Sequence, residues 1–68
     1  MNAFIKQAVE DFQSAENEVI DNVKKIQEVA VYENGWAIPT IYVNRLFASM
    51  EKVKESKKKL IECIIKFG

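Results

Sequence analysis

Few residues of this chain have side chains suited to catalysis. The 68 residues include no histidine and a single cysteine, Cys63. The sequence also lacks a glycine-rich phosphate-binding loop and a strand-to-helix turn that would expose a nucleophile. We therefore expect the protein not to be an enzyme and to use no cofactor. Cys63 lies at the edge of an apolar stripe, where we expect it to pack as a small hydrophobic residue.

Acidic residues are concentrated in the first half of the chain, and carboxylate oxygens are the ligands that hard cations prefer. The candidates are Glu10, Asp11, Glu16, Glu18 and Asp21. On a helix, however, Glu10 and Asp21 point away from the neighbouring apolar residues. This pattern predicts a solvated acidic face and no metal site.

A lysine-rich segment in the second half resembles a surface that contacts phosphates. Its members are Lys52, Lys54, Lys57, Lys58 and Lys59. On a helix these side chains point in different directions, and glutamates three or four residues earlier pair with some of the lysines of this half. We therefore expect a solubilising face. The alternative is a nucleic-acid-binding regulator in which dimerisation aligns two copies of residues 52–59.

The composition indicates a folded chain and disfavours two classes of partner. It is 49% hydrophobic and 29% charged, with two glycines and one proline, which is unlike a disordered chain. The net charge of zero disfavours attraction to nucleic acid or to an anionic membrane. The sequence shows neither an apolar run of membrane-spanning length nor a signal peptide, and its lone cysteine forms no internal disulfide. We expect a cytoplasmic protein without membrane contact.

Apolar residues recur every three or four positions on both sides of a turn, which predicts an all-α antiparallel helical hairpin. The predicted domain covers residues 1–68, with helix 1 at about 2–33, a turn at 34–39 and helix 2 at about 39–66. Asn34-Gly35 suits the left-handed backbone that ends a helix. It is also a strong β-hairpin signal, and residues 29–43 are rich in β-branched and aromatic side chains. The alternative fold is therefore α-β-β-α.

Charge segregation suggests how the helices pair. Residues 1–34 hold three basic and seven acidic residues, a net charge of −4, and residues 35–68 hold seven basic and three acidic residues, a net charge of +4. Each apolar stripe contains one charged residue, Glu16 or Lys57. A hairpin centred between Trp36 and Ala37 places residues opposite each other when their numbers sum to 73, so Glu16 is expected to face Lys57 and to fix the register. Alternatively, each side chain reaches solvent at the rim.

Each stripe spans about 160° of its helix, which is wider than a two-stranded antiparallel coil covers. A four-helix bundle made by two hairpins would bury the remainder, so we expect a homodimer. Alternatively, an unidentified partner protein buries the remaining part of each stripe.

The turn region is unusually aromatic and apolar. Tyr32, Trp36, Ile38 and Tyr42 either plug the open end of the bundle or dock on a partner protein, since Trp and Tyr dominate binding hot spots. The sequence thus favours a small non-enzymatic helical protein-binding module, such as a regulator, an inhibitor or an adaptor.

Overall fold

The protein folds as two long α-helices in a computed structural model that describes residues 2–32 and 38–68, with only the backbone described for residues 31 and 32. The first helix, α1, spans Ala3–Tyr32, and the second, α2, spans Thr40–Phe67. Each end lies one residue from its predicted position. The prediction of an all-helical hairpin is confirmed.

The alternative α-β-β-α fold is wrong for the residues on either side of the turn. Residues 29–32 continue α1, and residues 40–43 form the first turn of α2. The strands proposed beside Asn34-Gly35 therefore do not form in these segments. Strand propensity is a weak local preference, and the packing of two continuous apolar stripes overrides it. Asn34, Gly35 and Trp36 themselves lie outside the described residues.

The helices begin in different ways. The side chain of Asn2 caps α1, because its Oδ1 atom accepts a hydrogen bond of 2.8 Å from the backbone N–H of Phe4. Pro39 precedes α2 with an extended ψ of 137° and provides no side-chain cap. Its carbonyl accepts a hydrogen bond of 3.0 Å from the N–H of Tyr42. Asn2 thus satisfies a helix-end donor that would otherwise need water.

The two helices pack antiparallel along their length. Phe4 near the start of α1 stacks on Phe67 at the end of α2, with ring centroids 5.1 Å apart. Midway along the hairpin, Asn22 of α1 hydrogen-bonds Ser49 of α2. The hairpin is a flat body that measures 49 × 16 × 11 Å.

The core of this hairpin is thin. Among the described side chains, only Ala15 and Ser49 are buried, with 5% and 2% of their surface exposed. Small side chains at these two positions let the helices approach closely. Much larger apolar side chains remain exposed, from 40% for Val23 to 79% for Ile65. The hairpin alone therefore leaves most of its large apolar groups unburied.

The observed register differs from the predicted one. The stacked pair Phe4–Phe67 and the hydrogen-bonded pair Asn22–Ser49 both have residue numbers that sum to 71, and not to 73. The register follows from the close packing of small residues and from the bonds of Asn22, neither of which apolar periodicity reveals. Within one chain, Glu16 is therefore level with residue 55 and not with Lys57.

Candidate functional site

One side of the hairpin carries exposed apolar side chains from both helices. We count 100° per residue along each helix, starting from the buried residue Ala15 in α1 and Ser49 in α2. The side chains of this surface then lie at about 60° to 140° on both helices. In two antiparallel helices, equal angles of the same sign point to the same side of the pair, so both sets lie on one side of the hairpin. We call this surface the apolar face, and its exposed members are Ile20, Val23, Met50, Ile61 and Ile64.

A shallow groove runs between the helices on this face. Its volume is about 370 Å³, and its walls come from both helices: Glu16, Val19 and Ile20 from α1, and Met50 and Val53 from α2. Ile20 and Met50 are half exposed, at 50% and 51%. Contiguous exposed apolar surface is the kind of surface that proteins use to bind other proteins.

The two charged residues within the predicted stripes both lie on the apolar face. Glu16 lines the groove between the helices, and Lys57 lies on α2 beside Ile61. Both side chains are exposed. The ion pairs formed among the described residues join Lys25 to Glu28 and Lys52 to Glu18. The expected interaction between Glu16 and Lys57 within one chain is not among them.

The side of the hairpin opposite the apolar face is polar, and polar contacts there and between the inner faces hold the helices together. The amide nitrogen of Asn22 donates to the hydroxyl of Ser49 at 3.1 Å and to the carbonyl of Arg45 at 3.2 Å. The Ser49 hydroxyl in turn donates to the carbonyl of Leu46 at 2.8 Å. Nearby, the ammonium of Lys52 lies 3.1 Å from a carboxylate oxygen of Glu18.

The Asn22–Ser49 contact was missed at the level of sequence. Asn22 and Ser49 interrupt their apolar stripes and therefore resemble ordinary surface residues. The signal was their spacing, since Asn22 lies seven residues after Ala15 and Ser49 lies seven before Ser56. Two helical turns separate such positions, which places all four on the inner faces of the helices.

The lysine-rich segment is spread around α2, as its spacing predicts. Lys52 and Lys59 border a groove on the polar side, together with Asp11, Glu18 and Glu55. Lys54, Lys57 and Lys58 border a different groove, together with Glu62. The lysines thus do not form one uninterrupted basic patch, and acidic side chains accompany both groups.

The predicted partner-binding residues are only partly described. Ile38 and Tyr42 are both half-buried. The neighbouring Ile41 has 54% of its surface exposed. The side chain of Tyr32 and the whole of Trp36 lie outside the described residues. The role of this aromatic group stays a prediction.

The described residues show few of the features of metal sites, reactive thiols and membrane-spanning helices. It contains no cluster of three or more His, Cys, Asp or Glu side chains suited to a metal ion. Cys63 is a free, half-buried thiol in a groove beside Phe4 and Phe67. Neither α1 nor α2 combines the length and the apolar character needed to cross a membrane. No protein-family model, curated protein or solved structure matches this chain.

Proposed function

We propose that this protein is a small non-enzymatic helical module that dimerises into a four-helix bundle and acts by occupying a surface on a partner protein. The observation that carries this proposal is the apolar face, which spans both helices and stays exposed in the hairpin. Burying such a face is the main favourable contribution to association in helical bundles.

The aromatic end of the hairpin is the proposed contact with the partner protein. Tyr32, Trp36, Ile38 and Tyr42 concentrate the residue types that dominate binding hot spots. Ile38 and Tyr42 lie at the beginning of α2, away from the residues that line the groove of the apolar face. The two interactions thus use different surfaces of the same chain.

Self-association is tested by sedimentation equilibrium. We expect a dimer at micromolar concentration, because the thin core of the hairpin makes an isolated chain marginal. A well-folded monomer over the same concentration range would contradict this part of the proposal.

Partner binding is tested by affinity capture from the native host with the wild-type chain and the Trp36→Ala variant. If Trp36 is a docking residue, the variant should keep its melting temperature and lose the captured protein. If Trp36 only plugs the bundle, its truncation should destabilise the fold by about 3 to 5 kcal/mol. Affinity per folded molecule would then be unchanged, and the proposed contact would be wrong.

Nucleic-acid binding is the second candidate function. It is suggested by Lys54, Lys57 and Lys58, which border one groove on α2. Glu62 in the same groove offsets part of their charge, so we favour the protein-binding module. Binding to duplex DNA or RNA that weakens steeply with added salt would support this candidate, and no binding at low salt would exclude it.

A further inference from the structure

We propose that the apolar face is covered by a second copy of this chain whose turn lies at the same end of the bundle, so that Glu16 of each chain pairs with the partner's Lys57. This inference rests on the proposed self-association and specifies its geometry. Four observations carry it: the size of the face, the charges of the two helices, the position of Glu16 and the register of the hairpin.

The apolar face lies on the broad side of the hairpin, which is 49 Å long and 16 Å wide. A stable protein interface usually buries roughly 800 Å² of accessible surface per partner, so a partner must cover most of the length of this side. A second hairpin has the same flat shape and the same length. One copy is therefore large enough to cover the face from end to end.

Two symmetric arrangements of stacked hairpins would bury the apolar face. If the two-fold axis runs parallel to the helices, both turns lie at one end and each α1 stacks on the partner's α2. If the axis runs across the helices, the turns lie at opposite ends and each helix stacks on its own copy. In a closed two-fold dimer both arrangements bury the same face, so electrostatics must decide between them.

The charges of the helices favour the same-end arrangement. The half of the chain that contains α1 has a net charge of −4, and the half that contains α2 has a net charge of +4. With both turns at one end, every helix lies between two helices of opposite charge. With the turns at opposite ends, acidic α1 lies on acidic α1 and basic α2 lies on basic α2. Like charges placed against each other at an interface disfavour that pairing.

The position of Glu16 gives an independent reason. Glu16 lies near the middle of α1, which spans Ala3–Tyr32, and it lines the groove of the apolar face. With the turns at opposite ends and the hairpins fully overlapped, the two Glu16 carboxylates would meet near the symmetry axis. Two carboxylates brought together at an interface that excludes water repel each other strongly.

In the same-end arrangement, the register of the hairpin brings Glu16 to a lysine instead. Residues at one level have numbers that sum to 71, and this arrangement preserves the level between copies. Glu16 is then level with the partner's residue 55. The partner's Lys57 lies two residues further along that helix, which is an offset of about 3 Å along the helix axis. Both side chains are long and lie on the apolar face, so they span this offset.

Charge swaps at these two positions test the proposal, with dimer dissociation constants measured by sedimentation. The variants are Glu16→Lys, Lys57→Glu and the chain that carries both changes. Both residues are exposed in the hairpin, so circular dichroism should show unchanged helicity at concentrations where each variant is dimeric. We expect each single swap to weaken its homodimer about tenfold, because two contacts per dimer become repulsive.

Mixing the two single-swap chains provides the decisive comparison. The heterodimer of Glu16→Lys and Lys57→Glu restores two attractive contacts, so it should bind about as tightly as the wild type, and so should the double-swap homodimer. If the double-swap homodimer regains the wild-type affinity but the heterodimer does not, the pair forms within one chain and the proposal is wrong. If the single swaps leave the homodimer unchanged, the turns lie at opposite ends and the proposal is also wrong.

A distance measurement tests the arrangement without relying on these charges. Spin labels at Ala3→Cys, in a Cys63→Ala background, report the separation of the two open ends by pulsed electron paramagnetic resonance. With both turns at one end, the labels are separated by the width of the bundle. A separation close to the 49 Å length of the hairpin would overturn the arrangement and leave the proposed dimer intact. A monomer at all concentrations would overturn both.

Discussion

Single residues decide how closely the two helices pack. Ala15 and Ser49 are the buried side chains of the described hairpin, and both are small. Asn22 adds two hydrogen bonds across the interface, to Ser49 and to the carbonyl of Arg45. A slipped register would break both hydrogen bonds of Asn22 and leave the buried Ser49 hydroxyl without that partner, which disfavours other registers. The small residues therefore permit close contact, and the polar group makes one register preferable.

This interpretation predicts that enlarging Ala15 destabilises the hairpin. Ala15→Leu places a larger side chain at a buried position, so it should lower the free energy of unfolding by about 1 to 3 kcal/mol. Urea denaturation at fixed protein concentration measures the loss. The matched control is Ala48→Leu, since Ala48 is exposed on α2 and the same change there should stay within about 0.5 kcal/mol. Equal effects at the two positions would show that Ala15 does not lie at the close contact.

At the scale of the helices, the beginning of α1 is held by one side chain. Asn2 accepts a hydrogen bond from the N–H of Phe4, and its carbonyl accepts one from the N–H of Lys6. This end also contains Phe4, whose ring stacks on Phe67 at the end of α2. A frayed first turn would therefore also loosen the aromatic contact between the helices at the open end of the hairpin.

We predict that Asn2→Ala destabilises the protein by about 1 kcal/mol, because alanine provides no acceptor for the N–H of Phe4. Hydrogen exchange at the amide of Phe4 should become faster. Asn2→Asp is the control, since its carboxylate keeps the acceptor and also suits the positive end of the helix dipole. If alanine and aspartate give the same stability and exchange rate, the cap contributes nothing to α1.

At the scale of the whole molecule, stability depends mainly on how much apolar surface is buried and how much stays exposed. A chain of 68 residues buries only about 60% of its unfolded surface even in a compact fold. This hairpin leaves Ile20 and Met50 of the apolar face about half exposed, at 50% and 51%. A second hairpin on the apolar face would supply the missing burial, so stability and assembly should depend on each other.

Met50→Asp should therefore dissociate the proposed dimer. Met50 is half exposed in the single hairpin but lies on the apolar face, so the new carboxylate is tolerated in the monomer and costly in the bundle. Sedimentation should show at least a tenfold weaker dimer, about 1.4 kcal/mol, and the melting temperature should fall. Asn44→Asp adds the same group at an exposed position of α2 away from this face. A Met50→Asp chain that dimerises as tightly as Asn44→Asp would contradict the four-helix bundle.

The sequence by itself indicated two helices, although it left open whether residues 29–43 form a β-hairpin between them. Apolar spacing of three and four residues continues through both halves, and this period is a local property of the chain. The presence of Glu16 and Lys57 within the stripes was also evident, because it depends only on their positions along each helix. The same holds for the charge difference between the two halves, since it is fixed by composition alone.

Only the tertiary structure decided which part of each wide stripe is used within the hairpin. A stripe of about 160° permits several rotations of one helix against the other, and periodicity does not choose among them. One rotation and one register are favoured by the close packing at Ala15 and Ser49 and by the hydrogen bonds of Asn22. That choice depends on side-chain size and polar pairing across the interface. It turned Ile20 and Met50 outward, and it separated Glu16 from Lys57 within the chain.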